Sequence, residues 1–312
     1  MFRLSFPILA VLFACGAANA TQSVALPPWV CAHPDAVFVS AFEAGENAVP
    51  HRGSGGSGGA YPGNLIRWVY VADLGSGAQP YYVYVPDAYT PSRPWPLLVG
   101  LHGVAPYASV YNYARDVSAY WSGVAQTGDF IVVAPVANNV IYDSNSQPYA
   151  VSWLVPPSAG PNDYDMLAAI LADMQSAYNI ELSRIYGWGF SAGGHVMHDL
   201  GVSTHSTALN ASTLAAYGVS AGDLSALACA SISNAACDQL LSGLSRKVPV
   251  DLRVGNADPN LPYVSDDYSR FVADGWSAGQ NVFYSTFTGA HTYSTADLQA
   301  AWTHLCPNAV VP

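Results

Sequence analysis

Continuous runs of apolar residues occur at 97–101 and 130–134. Strands that are buried on both faces of a parallel sheet have this pattern, because helices cover both faces. Further strands are predicted at 66–72, 81–86, 185–189, 250–254 and 282–287. The spacing of apolar residues predicts helices over 110–125, 164–178, 194–200 and 295–305. The alternation of strand and helix predicts an α/β fold with a mostly parallel, doubly wound sheet and helices on both faces.

The chain is predicted to consist of three segments. Residues 1–20 contain Arg3, an apolar run and a small-residue cleavage site, which predicts a secretory signal peptide. Residues 21–65 are predicted to be an irregular N-terminal segment, in which the Gly/Ser-rich run 53–59 forms a flexible loop. Residues 66–312 are predicted to form the α/β domain. Its first two strands, rich in tyrosine, are expected to pair antiparallel at one edge, and residues 201–248 are expected to belong to a cap or a long crossover.

Composition excludes several classes of protein. Hydrophobic residues make up 51% of the chain and charged residues 10%, which excludes intrinsic disorder. The net charge is −11, with 21 acidic against 10 basic residues, so nucleic acid is not an expected partner. No apolar run reaches the roughly 18–20 residues that cross a bilayer, so membrane insertion is not expected. With the signal peptide, these features predict a secreted or periplasmic protein.

The cysteines agree with export. Cys15 lies in the predicted signal peptide, which leaves Cys31, Cys229, Cys237 and Cys306. An even number of cysteines in an oxidising compartment implies two disulfides, with three possible connectivities, and free thiols are the alternative. We favour a local Cys229–Cys237 bridge and a Cys31–Cys306 bridge that joins the two ends of the chain. Their spacing is poor for zinc, since no CxxC pair occurs.

The most informative motif is Gly189-Phe-Ser-Ala-Gly193, which matches G-x-S-x-G. A predicted strand leads into it and a predicted helix follows it, as in a nucleophile elbow. In such an elbow the serine occupies a sharp turn, and small neighbours let the strand and the helix come close. Ser191 is therefore the candidate nucleophile, and an ordinary Gly/Ser turn is the alternative.

A serine hydroxyl needs a base, and the base needs an acid that orients it. In folds with this elbow, the order along the chain is serine, acid, histidine. We favour His291 as the base, because it follows the predicted strand 282–287 directly. The alternatives are His304, inside the last predicted helix, and His205, in the segment 201–248 for which no strand or helix is predicted.

The favoured acid is Asp258, which lies on a turn just after the predicted strand 250–254. At that place its carboxylate can meet a histidine from the loop that follows the next strand. Asp251 lies within the strand and is expected to point off the sheet face. Asp266 and Asp267 are expected to begin the next helix, where carboxylates suit the positive helix end.

Two backbone N–H groups are predicted to form an oxyanion hole, which stabilises a tetrahedral intermediate. One is that of Ala192, directly after the nucleophile, and the other is that of Val104, in the loop after the strand 97–101. His102, in the same loop, is a candidate substrate contact or second base, although a structural hydrogen bond is favoured. Trp153 is predicted either to line an acyl pocket or to belong to the core.

Two further groups of residues have open roles. His195 and His198 form an H-x-x-H pair on one helix face, but a metal site needs a third ligand and none is evident, so no metal is predicted. Tyr107, Tyr111 and Tyr113, near the oxyanion loop, are predicted to line a groove or to form a tyrosine-rich surface loop.

The order and spacing of six segments resemble a known family over residues 82–305. The segments are Tyr84-Val-Pro-Asp-Ala-Tyr89, Pro96-Leu-Leu-Val-Gly-Leu-His-Gly103, Tyr178-Asn-Ile-Glu-Leu-Ser-Arg-Ile-Tyr186, Gly189-Phe-Ser-Ala-Gly-Gly194, Gly255-Asn-Ala-Asp-Pro-Asn-Leu-Pro-Tyr263 and Gly289-Ala-His-Thr-Tyr293. The chain resembles the secreted esterase family that includes poly(3-hydroxybutyrate) depolymerases, feruloyl esterases and acetylxylan esterases. The resemblance implies an α/β-hydrolase fold, a triad of Ser191, Asp258 and His291, and oxyanion donors after His102-Gly103. Trp153 resembles the family's tryptophan ahead of the helix that precedes the nucleophile.

These observations predict a secreted serine hydrolase that cleaves carboxylic esters in a polymeric or oligomeric substrate. The favoured substrate is a polyester of the poly-3-hydroxybutyrate type. The alternatives are a feruloyl or acetylxylan esterase and a hydrolase of polyamides or peptide bonds that uses the same triad. A non-catalytic binding protein is least favoured. No metal or organic cofactor is implied by this chemistry.

Overall fold

The computed structural model describes residues 22–25, 52–75 and 77–311, with side chains for 52–75 and 77–310. The predicted signal peptide 1–20 and Cys31 lie outside the described residues, as does most of the predicted segment 21–65.

Strands make up most of the centre of the molecule. In the described residues they are, in chain order, β1 (Gln22–Ala25), β2 (Gly63–Val69), β3 (Gln79–Val85), β4 (Trp95–Leu101), β5 (Ala105–Pro106), β6 (Ile131–Pro135), β7 (Asn139–Tyr142), β8 (Pro148–Ser152), β9 (Ile180–Phe190), β10 (Leu214–Ser220), β11 (Val250–Gly255), β12 (Val282–Phe287) and β13 (Asn308–Val311). Eight of them form one sheet in the order β12-β11-β10-β9-β4-β6-β3-β2. From β12 to β6 every neighbouring pair is parallel. β2 and β3 pair antiparallel at one edge, as the sequence predicted for its first two strands.

Helices connect the strands. In the described residues they are α1 (Val110–Gly128), α2 (Asp163–Ala177), α3 (Ala192–Val202), α4 (Asn234–Ser242), α5 (Leu261–Ala273) and α6 (Thr295–Leu305). The start of α2 follows from its capping box, because the Asn162 side chain accepts the Tyr164 N–H while the Asp165 carboxylate accepts the Asn162 N–H. None of the described helices is long and apolar enough to span a bilayer.

The core lies on both faces of the sheet. Every residue of β4 and β6 is buried, as expected for continuous apolar strands between helices. Side chains of β4 alternate between two clusters, since Leu97 and Val99 belong to one and Leu98 to the other. Apolar residues of α2, α3 and α5 cover the first face, and those of α1 and α6 cover the second. The predicted doubly wound α/β sheet is therefore confirmed.

Residues 201–248, expected to form a cap or crossover, instead contain a central strand. β10 lies between β9 and β11, and all its residues are buried. Its sequence, Leu214-Ala-Ala-Tyr-Gly-Val-Ser220, contains small residues in place of the branched apolar residues that mark a strand. The predicted start of helix α5 is also wrong, since Asp266 and Asp267 lie within it.

The Gly/Ser run 53–59, expected to be a flexible loop, packs against the end of α2 and the start of β9. The N–H of Ser54 donates to the Ile180 oxygen at 2.8 Å, and that of Gly59 donates to the Ala177 oxygen at 2.9 Å. A Cβ at Gly56 would lie 2.2 Å from the Gln175 oxygen, so glycine is required there by close approach. The sheet also begins at Gly63, before the boundary expected between 65 and 66.

Cys229 and Cys237 form the expected local disulfide. Cys306 is disulfide-bonded as well, and Cys31, the partner that we expected for it, lies outside the described residues.

Candidate active site

Ser191 occupies the sharp turn between β9 and α3. Its backbone has φ 51° and ψ −119°, a conformation that non-glycine residues rarely adopt and that marks functional sites. The turn is held by two backbone hydrogen bonds, from the Ser191 N–H to the Ser220 oxygen at 2.9 Å and from the His195 N–H to the Ser191 oxygen at 3.0 Å. The neighbouring strand β10 and the first turn of α3 therefore fix the serine.

Glycine at position 189 lets this turn form. A Cβ at Gly189 would lie 2.1 Å from the Gly193 oxygen, which no real contact allows. The backbone of β9 and that of α3 thus touch across the turn, and the Ser191 side chain is left partly exposed at the strand end.

The imidazole of His291 joins Ser191 to Asp258. His291 Nε2 lies 2.9 Å from Ser191 Oγ, and His291 Nδ1 lies 2.9 Å from Asp258 Oδ2. A carboxylate can only accept, so Nδ1 carries the proton and Nε2 is free to accept the serine O–H. The Asp258 side chain is fully buried, whereas 37% of the His291 side chain is exposed. A reacting group can therefore reach the imidazole, while water cannot reach the acid.

Asp258 is held in place by its own turn. Its Oδ1 accepts the Asn260 N–H at 2.8 Å, and the Asn260 side-chain amide donates to the Ala221 oxygen at 2.8 Å. Ala221 follows β10, so this amide connects the acid loop with the strand that also holds Ser191. Sequence reasoning did not single out Asn260, although an aspartate two residues before an asparagine is a typical turn signal.

The alternative bases and acids lie elsewhere. His304 pairs with Asp251 and stacks on Phe283 with ring centres 3.9 Å apart. His205 Nδ1 lies 3.0 Å from Asp199, a carboxylate on α3. Asp251 is buried and also pairs with Arg253.

The loop after β4 lies directly beside the serine. A Cβ at Gly103 would come within 3.1 Å of both Ser191 Cβ and Phe190 Cδ1, so glycine lets the loop approach the serine without displacing these side chains. Ala192 is the first residue of α3, where a helix presents N–H groups that have no partner within the helix. The oxyanion hole formed by the Val104 and Ala192 N–H groups stays a prediction, and the loop position agrees with it.

His102 is placed behind this loop. Its side chain is 1% exposed, its Nε2 accepts the Ala137 N–H at 3.2 Å, and its Nδ1–H donates to the Gly103 oxygen at 2.6 Å. Burial lowers the pKa of His102 to about 4, so the ring is neutral at neutral pH. Both nitrogens serve the backbone. The structural hydrogen bond that the sequence analysis favoured over a substrate contact is therefore present, and His102 supports the loop.

Trp153 supports the same loop. It is 5% exposed, and its indole N–H donates to the His102 oxygen at 2.8 Å. Its ring centre lies 5.0 Å from that of His102. Of its two predicted roles, the structure shows the core position rather than the wall of an acyl pocket.

The H-x-x-H pair is also structural. The Asp223 N–H donates to His195 Nδ1 at 2.9 Å. His198 is fully buried, and burial lowers its pKa to about 3. Within the described residues, no group of three or more His, Cys, Asp or Glu side chains could hold a metal ion.

A cavity of about 310 Å³ opens next to the serine. Besides the loop residues His102 and Gly103, its walls include the side chains of Tyr113, Asp116, Tyr120, Phe190 and Tyr293. Phe190 also packs on His291, with ring centres 4.8 Å apart. Tyr113 was predicted to line a groove, and the structure places it here. Asp116, Tyr120 and Tyr293 were not singled out, because only the packing of α1 beside the loop after β12 brings them together.

Solved hydrolase structures superpose on most of this chain. A ferulic acid esterase superposes with a TM-score of 0.56 at 14% identity, covering 78% of this chain and 95% of that one. Poly(aspartic acid) hydrolase-1 from Sphingomonas sp. KT-1 superposes with a TM-score of 0.52 at 15% identity, covering 79% and 99%. The protein has the α/β-hydrolase fold.

Similarity in sequence is more limited. The chain is 29% identical over 125 residues to a bifunctional acetylxylan esterase/xylanase, XynS20E, from Neocallimastix patriciarum. The match covers 40% of this chain and only 16% of that longer protein. No family model matches the chain.

Within this fold, the arrangement can perform one kind of chemistry well. A hydroxyl, an imidazole and a buried carboxylate form a hydrogen-bonded line at the carboxyl ends of the strands, beside a backbone loop that reaches the serine. Such a line activates the hydroxyl as a nucleophile toward a carbonyl carbon.

Proposed function

We propose that this protein is a serine esterase that hydrolyses carboxylic esters. In this proposal Ser191 is the nucleophile, His291 the general base and acid, and Asp258 the residue that orients His291. The observation that carries it is the line of hydrogen bonds Ser191–His291–Asp258, each 2.9 Å long. The Ser191 elbow, the Gly103 loop and the hydrolase fold support it.

Acylation begins when Ser191 Oγ attacks the ester carbonyl and His291 Nε2 takes its proton. The imidazolium that forms is stabilised by Asp258, which stays ionised. The oxygen of the tetrahedral intermediate is proposed to accept the Ala192 and Val104 N–H groups, which would stabilise it in proportion to the charge that develops there. When the intermediate collapses, His291 gives its proton to the leaving alcohol.

Deacylation repeats these steps with water. His291 Nε2 takes a proton from a water molecule, and the resulting hydroxide attacks the acyl carbonyl. The second intermediate then releases the carboxylic acid, and Ser191 regains its proton from His291. The partly exposed imidazole leaves room for this water, because 37% of its side chain is open to solvent.

For the substrate class, the comparisons support the feruloyl or acetylxylan type over the polyester depolymerase that the sequence favoured. A ferulic acid esterase is among the structural neighbours, and the curated relative is an acetylxylan esterase/xylanase. We therefore propose esters of plant cell-wall polysaccharides as the substrate class. A polyamide is the second candidate, because a poly(aspartic acid) hydrolase shares the fold over nearly its whole length.

Secretion is part of the proposal. It is supported by the predicted signal peptide at 1–20 and by the Cys229–Cys237 disulfide, since such bridges persist in oxidising compartments.

The triad is tested with Ser191→Ala. Removing the nucleophile of a triad that acts as a unit should lower kcat/KM for a short-chain nitrophenyl ester by about 10⁴-fold or more. A fluorophosphonate should label the unmodified protein at Ser191, as located by peptide mass spectrometry. Ser269→Ala, which removes an exposed hydroxyl on α5, should retain full activity and labelling. Full activity of Ser191→Ala would refute the assignment.

The substrate class is tested with a panel. It contains methyl ferulate, acetylated xylan, hydroxybutyrate oligomers and poly(aspartic acid), compared by kcat/KM or by initial rate per mass of polymer. The proposal expects methyl ferulate or acetylated xylan to be the best substrate. A clear preference for hydroxybutyrate oligomers or for the polyamide would replace this substrate class and leave the triad standing.

A further inference from the structure

The cavity beside Ser191 contains one charged side chain. Among the described residues that line it, Asp116 is the only Asp, Glu, Lys or Arg, and His102 is neutral near neutral pH because burial lowers its pKa. Asp116 lies on α1, and its side chain is 49% exposed. A ligand group in the cavity therefore meets a carboxylate that is open to it.

Aromatic side chains line the same cavity as this carboxylate. The Tyr120 and Tyr293 ring centres lie 5.3 Å apart in an edge-to-face arrangement, and the Tyr293 and Phe190 ring centres lie 4.9 Å apart. Aromatic faces attract cations through their negative π-electron density. Burial and, to a smaller extent, the nearby Tyr120, Asp116 and Tyr113 raise the pKa of the Tyr293 hydroxyl. The ring and the carboxylate are thus close enough to act on one another.

A basic residue adjoins the cavity without lining it. Arg115 Nη2 lies 3.2 Å from Asp116 Oδ1, and about half of each side chain is exposed. Exposed pairs of this kind contribute little, since both charges remain solvated. Arg115 therefore weakens the negative potential of the cavity but does not remove it.

We propose that this cavity is also a subsite for a cationic group, such as an alkylammonium, on ester substrates beyond the cell-wall esters proposed above, and that Asp116 determines this preference. The proposal rests on the proposed function, because the cavity is a substrate subsite only if Ser191 attacks an ester. It lies within reach of the reaction, because its walls include Phe190, which directly precedes Ser191, and Gly103, where a Cβ would lie 3.1 Å from Ser191 Cβ. Its volume of about 310 Å³ suits one ring or one trimethylammonium group.

Two pairs of isosteric esters test this. The first is choline acetate against the same ester with tert-butyl in place of trimethylammonium, which places the charge on the alcohol. The second is the nitrophenyl ester of trimethylammonio-butanoic acid against its tert-butyl isostere, which places the charge on the acyl group. The charged member of at least one pair should have a kcat/KM about fivefold higher, mainly through a lower KM.

Two neighbouring variants should act in opposite directions. Asp116→Asn should lower the ratio of kcat/KM for the charged ester to that for the uncharged ester about fivefold. Arg115→Gln should raise the ratio, because it removes the competing cation. Asp129→Asn is the matched control. It changes the net charge equally but lies beyond the other end of α1, about 20 Å along the helix axis. It should leave the ratio unchanged, since that distance exceeds the screening length.

The proposal is overturned if both charged esters are cleaved no better than their isosteres, or if Asp116→Asn leaves the ratio unchanged. These outcomes differ from a failure of the proposed function, in which neither member of either pair is cleaved. In that case, choline and its tert-butyl isostere are titrated into the protein and followed by NMR. If the cavity binds cations, Asp116→Asn should raise the Kd for choline about fivefold and leave the Kd for the isostere unchanged.

Discussion

At position 189 the space for a single methyl group decides whether the serine turn can form. A Cβ there would meet the backbone of Gly193 and not a side chain that could move aside. Gly123, in the middle of α1, is the opposite case, because nothing lies within 4 Å of the place where its Cβ would be. At Gly189 a substitution therefore tests the effect of a backbone clash, whereas at Gly123 it tests helix propensity alone.

We predict that Gly189→Ala lowers the free energy of unfolding by about 3 kcal/mol and abolishes most of the activity, since the backbone of the turn must shift. Gly123→Ala should instead raise the free energy of unfolding by about 0.5–1 kcal/mol, because alanine is the better helix former. Its activity should be unchanged. For each variant, urea unfolding measures the free energy of unfolding, and kcat/KM measures the activity. Equal effects of the two substitutions would show that the clash at position 189 is not what restricts it.

The sequence was sufficient to choose the residues of the proposed triad, and the structure brings those residues together. Ser191 has a motif, and Asp258 and His291 each follow a strand end in the expected order, so local patterns were enough. His102 and Trp153 were harder, because a hydrogen bond between a side chain and a distant carbonyl leaves no local pattern. Asp116 had no signal at all, since only the packing of α1 places it beside Ser191.

At the scale of elements, β8 helps to position the loop after β4, which contains the proposed oxyanion donor Val104. β8 pairs antiparallel with β5, which directly follows that loop, and Trp153 at its end donates to the His102 oxygen. The loop is thus held from two sides by one short strand. β5, β8 and β7 form a separate three-stranded sheet. This sheet supports the loop that lies beside Ser191.

We predict that Trp153→Phe leaves the buried His102 carbonyl without its donor. The free energy of unfolding should fall by about 1–3 kcal/mol. The turnover number should fall about tenfold, because the loop that carries the proposed oxyanion donor loosens. Trp68→Phe, at a β2 position that is 56% exposed, is the control and should change stability by no more than about 0.5 kcal/mol. A stable Trp153→Phe variant with full turnover would contradict this role.

Among the elements, the sequence predicted seven strands of the eight-stranded sheet and the helices with regular spacing. It missed β10 in that sheet, the short strands β5, β7 and β8, and helix α4. β10 is Ala- and Gly-rich because neighbours crowd it. Gly218 packs against Trp188, so there is no room for larger side chains. Burial by neighbours, and not intrinsic preference, makes this segment a strand. The Gly/Ser run at 53–59 was misjudged for the same reason, because its glycines fit against another backbone.

At the scale of the whole molecule, buried ionisable groups couple stability to pH. Burial lowers the pKa of His102 to about 4 from its ordinary value of 6.5. The unfolded chain therefore binds a proton at this residue between about pH 6.5 and 4 while the folded protein does not, so stability is lost as the pH falls through this range. Asp267 acts in the opposite direction, because burial raises its pKa to about 8. It makes the folded state less stable as the pH rises from about 4 to 8.

We predict that the contribution of His102 is visible as a difference between two proteins. From pH 7.5 to pH 5 its shift should lower the free energy of unfolding by about 2 kcal/mol, and His102→Gln should lack this loss. The effect of Asp267 is present in both proteins and cancels in the difference. Urea unfolding of the unmodified protein and of His102→Gln, each at pH 7.5 and at pH 5, gives the four free energies of unfolding that this comparison needs.

Trp153→Phe is the control for this measurement. It disturbs the same loop but keeps the imidazole, so its loss of stability between pH 7.5 and pH 5 should equal that of the unmodified protein. If His102→Gln instead shows the same loss as the unmodified protein, then His102 does not remain neutral in the folded state. The loop beside Ser191 would then carry a positive charge in acid, and the charge preference of the neighbouring cavity would change over the same pH range.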